Sequence, residues 1–164
     1  MKTLYLIGFM GSGKSTIGEM LSSLLHVPHI DTDNMVEEVY EQTIAEIFQN
    51  NGEGTFRMYE SEVLKNTPVQ NHIISTGGGI VERDENVLFM KENGVVVYLE
   101  TSFDEIAERL EYDQTRPLWS KNVQEKKDLF IRRQKLYEKN TDILVHTDNK
   151  SAIEITEEIK ALLK

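Results

Sequence analysis

The sequence predicts an α/β domain built on a largely parallel sheet. Two observations carry the prediction. Apolar strand-like runs alternate with helical patterns from end to end of the 164 residues, and the first such run leads straight into a glycine-rich loop. That length suits one domain, expected over 1–164, with its own hydrophobic core. A composition of 39% apolar and 28% charged residues is that of a globular chain rather than a disordered one.

Taken in order, "TLYLIG" (3 to 8) is a buried strand entering the glycine loop. Ile17, Met20, Leu21, Leu24 and Leu25 then recur at helical spacing, so a helix starts at Lys14 and is expected to stop at Pro28. "HID" follows as a short second strand, and further strands are expected at 72 to 77, 95 to 100 and 142 to 147. Helices are expected near 34 to 50, 53 to 66, 84 to 93, 102 to 111 and 124 to 140. A last one follows Ser151, with Ala152, Ile155, Ile159, Leu162 and Leu163 on one face. The stretch "EYDQTRPLWSKN" (111 to 122) has no regular period and contains Pro117; a loop this long inside a compact domain is the mark of a functional segment such as a lid.

Composition narrows the function classes. A formal charge of −10 argues against nonspecific nucleic-acid binding, so any anionic small molecule must meet a local group of cations. No apolar run is long enough for a membrane span, and the start of the chain lacks the order of a signal peptide. Cysteine is absent, which excludes disulfides and thiolate metal sites. The expectation is a cytosolic protein without membrane or nucleic-acid partners. His26, His29, His72 and His146 lack metal-ligand spacing and are read as surface or strand residues.

The chemistry-bearing motifs begin with Gly8-Phe9-Met10-Gly11-Ser12-Gly13-Lys14-Ser15, which fits G-x-x-x-x-G-K-[ST]. Its glycines let backbone N–H groups wrap a phosphate, and the following helix adds the positive end of its dipole. Lys14 would reach the β- and γ-phosphates and Ser15 would ligate magnesium. Asp31 and Asp33 stand just past the second strand, at the edge of a parallel sheet where ligands gather. They share a side if the backbone stays extended, while Asp33 could equally cap a helix beginning at Asn34. "STGGG" (75 to 79) follows another strand, and three successive glycines suit close approach of backbone to a ligand. Arg57 has Glu60 one turn on to orient it. Arg133 has apolar neighbours at Leu129, Phe130, Leu136 and Tyr137, so it points inward, more than Arg132 does. An inward arginine must be paired or meet a ligand.

These motifs, with "RPL" in the irregular loop and "RRQKLY" near the end, stand in the order and spacing of the shikimate kinases, and the chain resembles that family from Ile7 to about Asp148. The resemblance implies a three-layer α/β/α P-loop kinase fold, a five-stranded parallel sheet in the order 2-3-1-4-5, and a mobile lid over about 111–123. It implies transfer of the γ-phosphoryl of ATP to the 3-hydroxyl of shikimate, with Mg2+; a monomer is expected, although the sequence itself does not give the oligomeric state. On matching positions, Gly11, Ser12, Gly13, Lys14, Ser15 and Thr16 would hold the phosphates. Arg109 and Lys150 would lie about the adenine, and Asp31 would hold magnesium through water. Asp33 would bind the ring hydroxyls, Arg57 and Arg133 the carboxylate, and Gly78 and Gly79 the ring; Arg116 would touch the transferred phosphate. Trp119 stands where the family carries an aliphatic residue, and Lys135 where it often has proline. Rival readings are a kinase for gluconate or a nucleoside monophosphate, and a nucleotide-gated regulatory protein that transfers nothing.

Overall fold

The computed structural model describes residues 1–111, 117–120 and 122–164. Strands β1 (Thr3–Ile7), β2 (His29–Asp31), β3 (Ile73–Ser75), β4 (Gly94–Glu100) and β5 (Ile143–His146) form one parallel sheet in the order β2-β3-β1-β4-β5. Among the described residues eight α-helices accompany it: α1 (Lys14–Leu25), α2 (Thr32–Tyr40), α3 (Ile44–Asn51), α4 (Glu53–Lys65), α5 (Asp84–Asn93), α6 (Phe103–Leu110), α7 (Val123–Lys139) and α8 (Ala152–Leu162). None of them is long and apolar enough to cross a membrane.

The alternation of β1 builds both cores, because successive strand residues point to opposite faces. Leu4 and Leu6 pack with Ile73, Val97 and Val145 under Ile17 and Leu21 of α1 and Ile155 and Ile159 of α8. Tyr5 and Ile7 pack on the other face with Ile74, Val96 and Tyr98 against α4 to α7. A third cluster, Val36, Ile47, Phe56 and Val63, ties α2, α3 and α4 together. The register Leu6↔Ser75 and Leu6↔Val97 puts β1 between β3 and β4, so the loop after β1 emerges at the centre of the carboxyl edge.

Three boundaries differ from the sequence expectation. The helix begun at Lys14 ends at Leu25, because His26 takes a left-handed conformation (φ 56°) and its N–H closes on Ser22 O; Pro28 lies beyond that stop. The span 34 to 50 is two helices. Glu41 is left-handed (φ 52°), and Thr43 starts α3 with a reciprocal capping box to Glu46, a T-x-x-E signal present in the sequence. After the three glycines, Ile80–Glu82 forms a short 3-10 turn, and Pro117–Ser120 forms another within the stretch read as irregular. The remainder of the lid expectation, with Arg116, falls at 112–116 and 121 and lies outside the described residues.

Gly94 opens β4 opposite Thr3 at a point where a side chain has no room: a β-carbon there would sit 2.2 Å from Thr3 O and 2.6 Å from the Tyr5 ring. Gly94→Ala should therefore push β4 from β1 and lower Tm by about 3–10 °C, the range for overpacking a well-ordered core in a domain of this size. A thermal melt followed by circular dichroism checks it.

Candidate active site

The loop after β1 keeps its shape through glycine at two left-handed positions, Gly11 (φ 81°) and Gly13 (φ 94°). Gly13 is the N-cap of α1, and the first turn carries no acidic residue. The unpaired N–H groups that every helix start leaves are thus neither capped by a side chain nor neutralised by a carboxylate. Gly11, Ser12, Gly13, Lys14, Ser15 and Thr16 line a cavity of about 410 Å3. Lys14 folds over the loop, its Nζ donating to Gly8 O at 2.7 Å and Phe9 O at 3.0 Å. Ser12 is buried, and its hydroxyl has no hydrogen-bond partner among the described residues.

β2 delivers Asp31 to the same place. Its Oδ2 accepts from Ser15 Oγ at 2.5 Å, and its Oδ1 accepts from the N–H groups of Asp33 and Asn34. Asp31, not Asp33, therefore caps the following helix, and α2 starts at Thr32. The extended backbone that would have put the two aspartates on one side ends at Asp31. Both nevertheless line this cavity and a larger one beside it, Asp31 from the cap position and Asp33 from the first turn of α2.

The larger cavity, about 580 Å3, is lined by Arg57, Glu60, Asp33, the three glycines and Arg133. Arg57 Nη1 donates to Glu60 Oε1 at 2.9 Å, and Glu53 lies 3.5 Å from Nη2. Glu60 is 1% exposed. Burial pushes its carboxyl above the usual carboxylate range, with Arg57 and Arg133 acting in the opposite direction. Arg133 is also 1% exposed, whereas Arg132 is 62% exposed and pairs with Glu82 at the surface. The Nε and Nη2 atoms of Arg133 have no hydrogen-bond partner among the described residues, although Glu82 Oε2 lies 3.6 Å from Nη2. Buried guanidinium donors left in this state lining a cavity are what an anionic ligand requires.

The glycines after β3 have spatial reasons. A β-carbon at Gly79 would lie 2.2 Å from Arg57 Nη1; at Gly77 it would lie 2.6 Å from Glu60 and 2.8 Å from Asp33. At Gly78 it would meet Met10 N at 3.3 Å and Arg133 Nη1 at 3.4 Å. Two of the three thus make room for site side chains rather than only for a ligand. Tyr137 donates to Gly78 O, and Thr32 Oγ1 accepts from Gly77 N, holding the segment from two sides.

The two cavities share Ser15, Asp31, Asp33 and Gly78. Arg109 and Lys150 line the outer part of the smaller one, Arg109 donating to Gly11 O at 2.8 Å and Lys150 to Glu158 at 2.7 Å. All the sequence-derived site residues except Arg116, which is not described, border one cavity or the other. Sequence reasoning missed Phe48, Phe56 and Leu118 as walls of the larger cavity, and Tyr137 and Glu82 as props. Tyr137 could have been found, standing one helical turn beyond Arg133 on the same face. Trp119 is 5% exposed and packs edge-on to Phe9 of the phosphate loop, 6.1 Å between ring centres, with Phe103 beside it and Lys126 over its ring.

Comparison with known proteins sets the chain among the shikimate kinases. The shikimate kinase family model fits residues 10–164. A shikimate kinase of Bacillus mycoides is 49% identical over 163 residues, covering 98% of this chain and 97% of the relative. Among solved structures, a shikimate kinase from Acinetobacter baumannii in complex with shikimate superposes with a TM-score of 0.94 at 32% identity, covering 99% of this chain and 93% of the other. One from Aquifex aeolicus gives 0.86 at 40% identity, covering 98% and 95%.

The Glu60 environment has a signed consequence. A carboxyl whose folded-state pKa is raised contributes its stability in full below its unfolded value and loses it as pH rises through the folded one. Relative to Glu60→Gln, the wild type should therefore lose stability as pH climbs from about 4, the ordinary carboxylate range, upward. Thermal melts of both proteins across that window check it: the Tm difference should drift against the wild type.

Proposed function

The chain belongs to the shikimate kinase family, which transfers the γ-phosphoryl group of ATP to the 3-hydroxyl of shikimate, and on that premise we propose how its own residues divide the reaction. The observation that carries the reading is the shared wall: a phosphate-loop cavity and an arginine-lined cavity meet at Ser15, Asp31, Asp33 and Gly78.

In the smaller cavity the N–H groups of the loop and of the first turn of α1 bind the phosphate tail, and Lys14 turns from Gly8 O and Phe9 O to the β- and γ-oxygens. Arg109 and Lys150 flank the base. Ser15 Oγ and Asp31 Oδ2 form a hard-oxygen pair, the donor chemistry that Mg2+ accepts, and no group of three acidic or histidine ligands exists among the described residues to favour another metal. Ser15 would hold that ion directly and Asp31 through water, and the chemistry it would supply there is charge neutralisation of the phosphates.

In the larger cavity Arg57 and Arg133 clamp the substrate carboxylate, each able to give two parallel N–H donors. Gly78 and Gly79 lie along the ring, and Asp33 accepts from its hydroxyls, turning the 3-oxygen toward the γ-phosphorus. As the new P–O bond forms and the bond to ADP breaks, the hydroxyl proton passes to Asp33, late, because the transition state is loose. The family resemblance assigns Arg116, which lies outside the described residues, to the transferred phosphoryl group. A monomer suffices, since one chain lines both cavities, and the charge of −10 supports small-molecule partners over nucleic acid.

A coupled assay of ATP consumption with shikimate, gluconate and nucleoside monophosphates tests the substrate assignment: shikimate alone should drive turnover. Arg133→Lys keeps the charge but loses the fork, and should raise the KM for shikimate about tenfold or more while leaving that for ATP unchanged. An analogue lacking the carboxylate should show no further loss in that variant; additive losses would contradict the clamp. Arg116→Ala should cut turnover on the order of a hundredfold with modest change in shikimate binding.

A further inference from the structure

We infer that His29 is a positioning residue for the phosphate loop, acting through Ser75 on the peptide between Lys14 and Ser15; the inference rests on the assignment of that loop to ATP. Ser75, at the end of β3, is buried, and its Oγ donates to Lys14 O at 2.8 Å. His29 Nε2, from β2, lies 2.8 Å from the same oxygen. A serine hydroxyl has one hydrogen, and a carbonyl can only accept. Ser75 therefore commits its hydrogen to Lys14, and His29 Nε2 is the donor to Ser75. Both the imidazolium and the neutral ring in this tautomer carry that hydrogen.

The Lys14 carbonyl and the Ser15 N–H belong to one planar trans peptide, so fixing the oxygen fixes the direction of the N–H on its opposite side. That N–H is one of the unpaired donors at the start of α1, where an anion is held by orientation rather than by side-chain reach. His29 thus extends the cradle's support from β3 to β2, the strand that also carries Asp31.

An independent observation marks the same contact. Gly18 stands four residues after Lys14, on the same face of α1, in a helix interior where glycine is unfavourable. A β-carbon there would lie 2.4 Å from His29 Nε2 and 2.4 Å from Ser75 Oγ. The helix gives up a side chain at the place where the pair reaches it.

The test compares His29→Leu, which keeps the bulk and removes the donor, with His29→Gln, which restores an N–H at similar reach. ADP affinity is read by calorimetry and both KM values from steady-state rates. His29→Leu should weaken ADP about tenfold, as loss of support to one buried hydrogen bond implies, with the KM for ATP rising in parallel and that for shikimate within about twofold. His29→Gln should recover most of the loss. Ser75→Ala, which removes a single oxygen and whose fold is checked by circular dichroism, should reproduce the Leu pattern, and the double variant should lose no more than either single one. Unchanged ADP affinity in His29→Leu and Ser75→Ala, equal weakening of ADP and shikimate, failure of Gln to rescue, or additive losses would each overturn the inference. A wild type that does not bind ADP would remove the ATP assignment itself, and this tie with it.

Discussion

Holding anions inside an acidic protein is the constraint around which this molecule is arranged. With a formal charge of −10, the field at large repels phosphate and carboxylate alike. Attraction must come from donors placed at short range and shielded from water. The fold supplies them in two forms. One is the uncapped start of α1, whose N–H groups carry partial charge without any ionisable side chain. The other is a pair of guanidinium groups, Arg57 and Arg133, sunk into a wall of aromatic and glycine surface.

Both forms need support, and the supports explain much of the sequence around them. Arg57 is aimed by Glu60, a buried carboxylate whose desolvation is only partly offset by its partner. Such a residue is kept for direction rather than for stability. Arg133 rests against the Phe9 ring, 6.0 Å away, with Glu82 at its outer side. The glycines at 77 and 79 are the space these side chains occupy. The strand order does the rest: β3 stands between β1 and β2, so its glycines come between the phosphate loop and the aspartate of β2, and two ligands can face each other across few residues.

Much of this was legible in the sequence, because the signals are local. The phosphate loop is a contiguous pattern between a strand and a helix, and the inward turn of Arg133 follows from its neighbours at three and four residues. The helix break at Glu41 was missed although "TIAE" carries the cap that restarts the chain at Thr43. Asp31 and Asp33 stand at the strand end as the sequence suggests, but the cap that Asp33 could have supplied is supplied by Asp31, since one residue of shift decides which carboxylate meets the free N–H groups. Contacts joining separate strands leave no such trace: that His29, Ser75 and Gly18 converge depends on sheet register, which spacing along the chain does not encode.

The chain contains one tryptophan, and it is packed on the phosphate loop through Phe9 while Lys126 sits above its indole. The protein thus carries a single indole packed against the phosphate loop, next in the chain to Leu118 of the larger cavity. Any shift of the phosphate loop that moves Phe9 or Lys126 against that single fluorophore would change its emission, an intrinsic signal that needs no label.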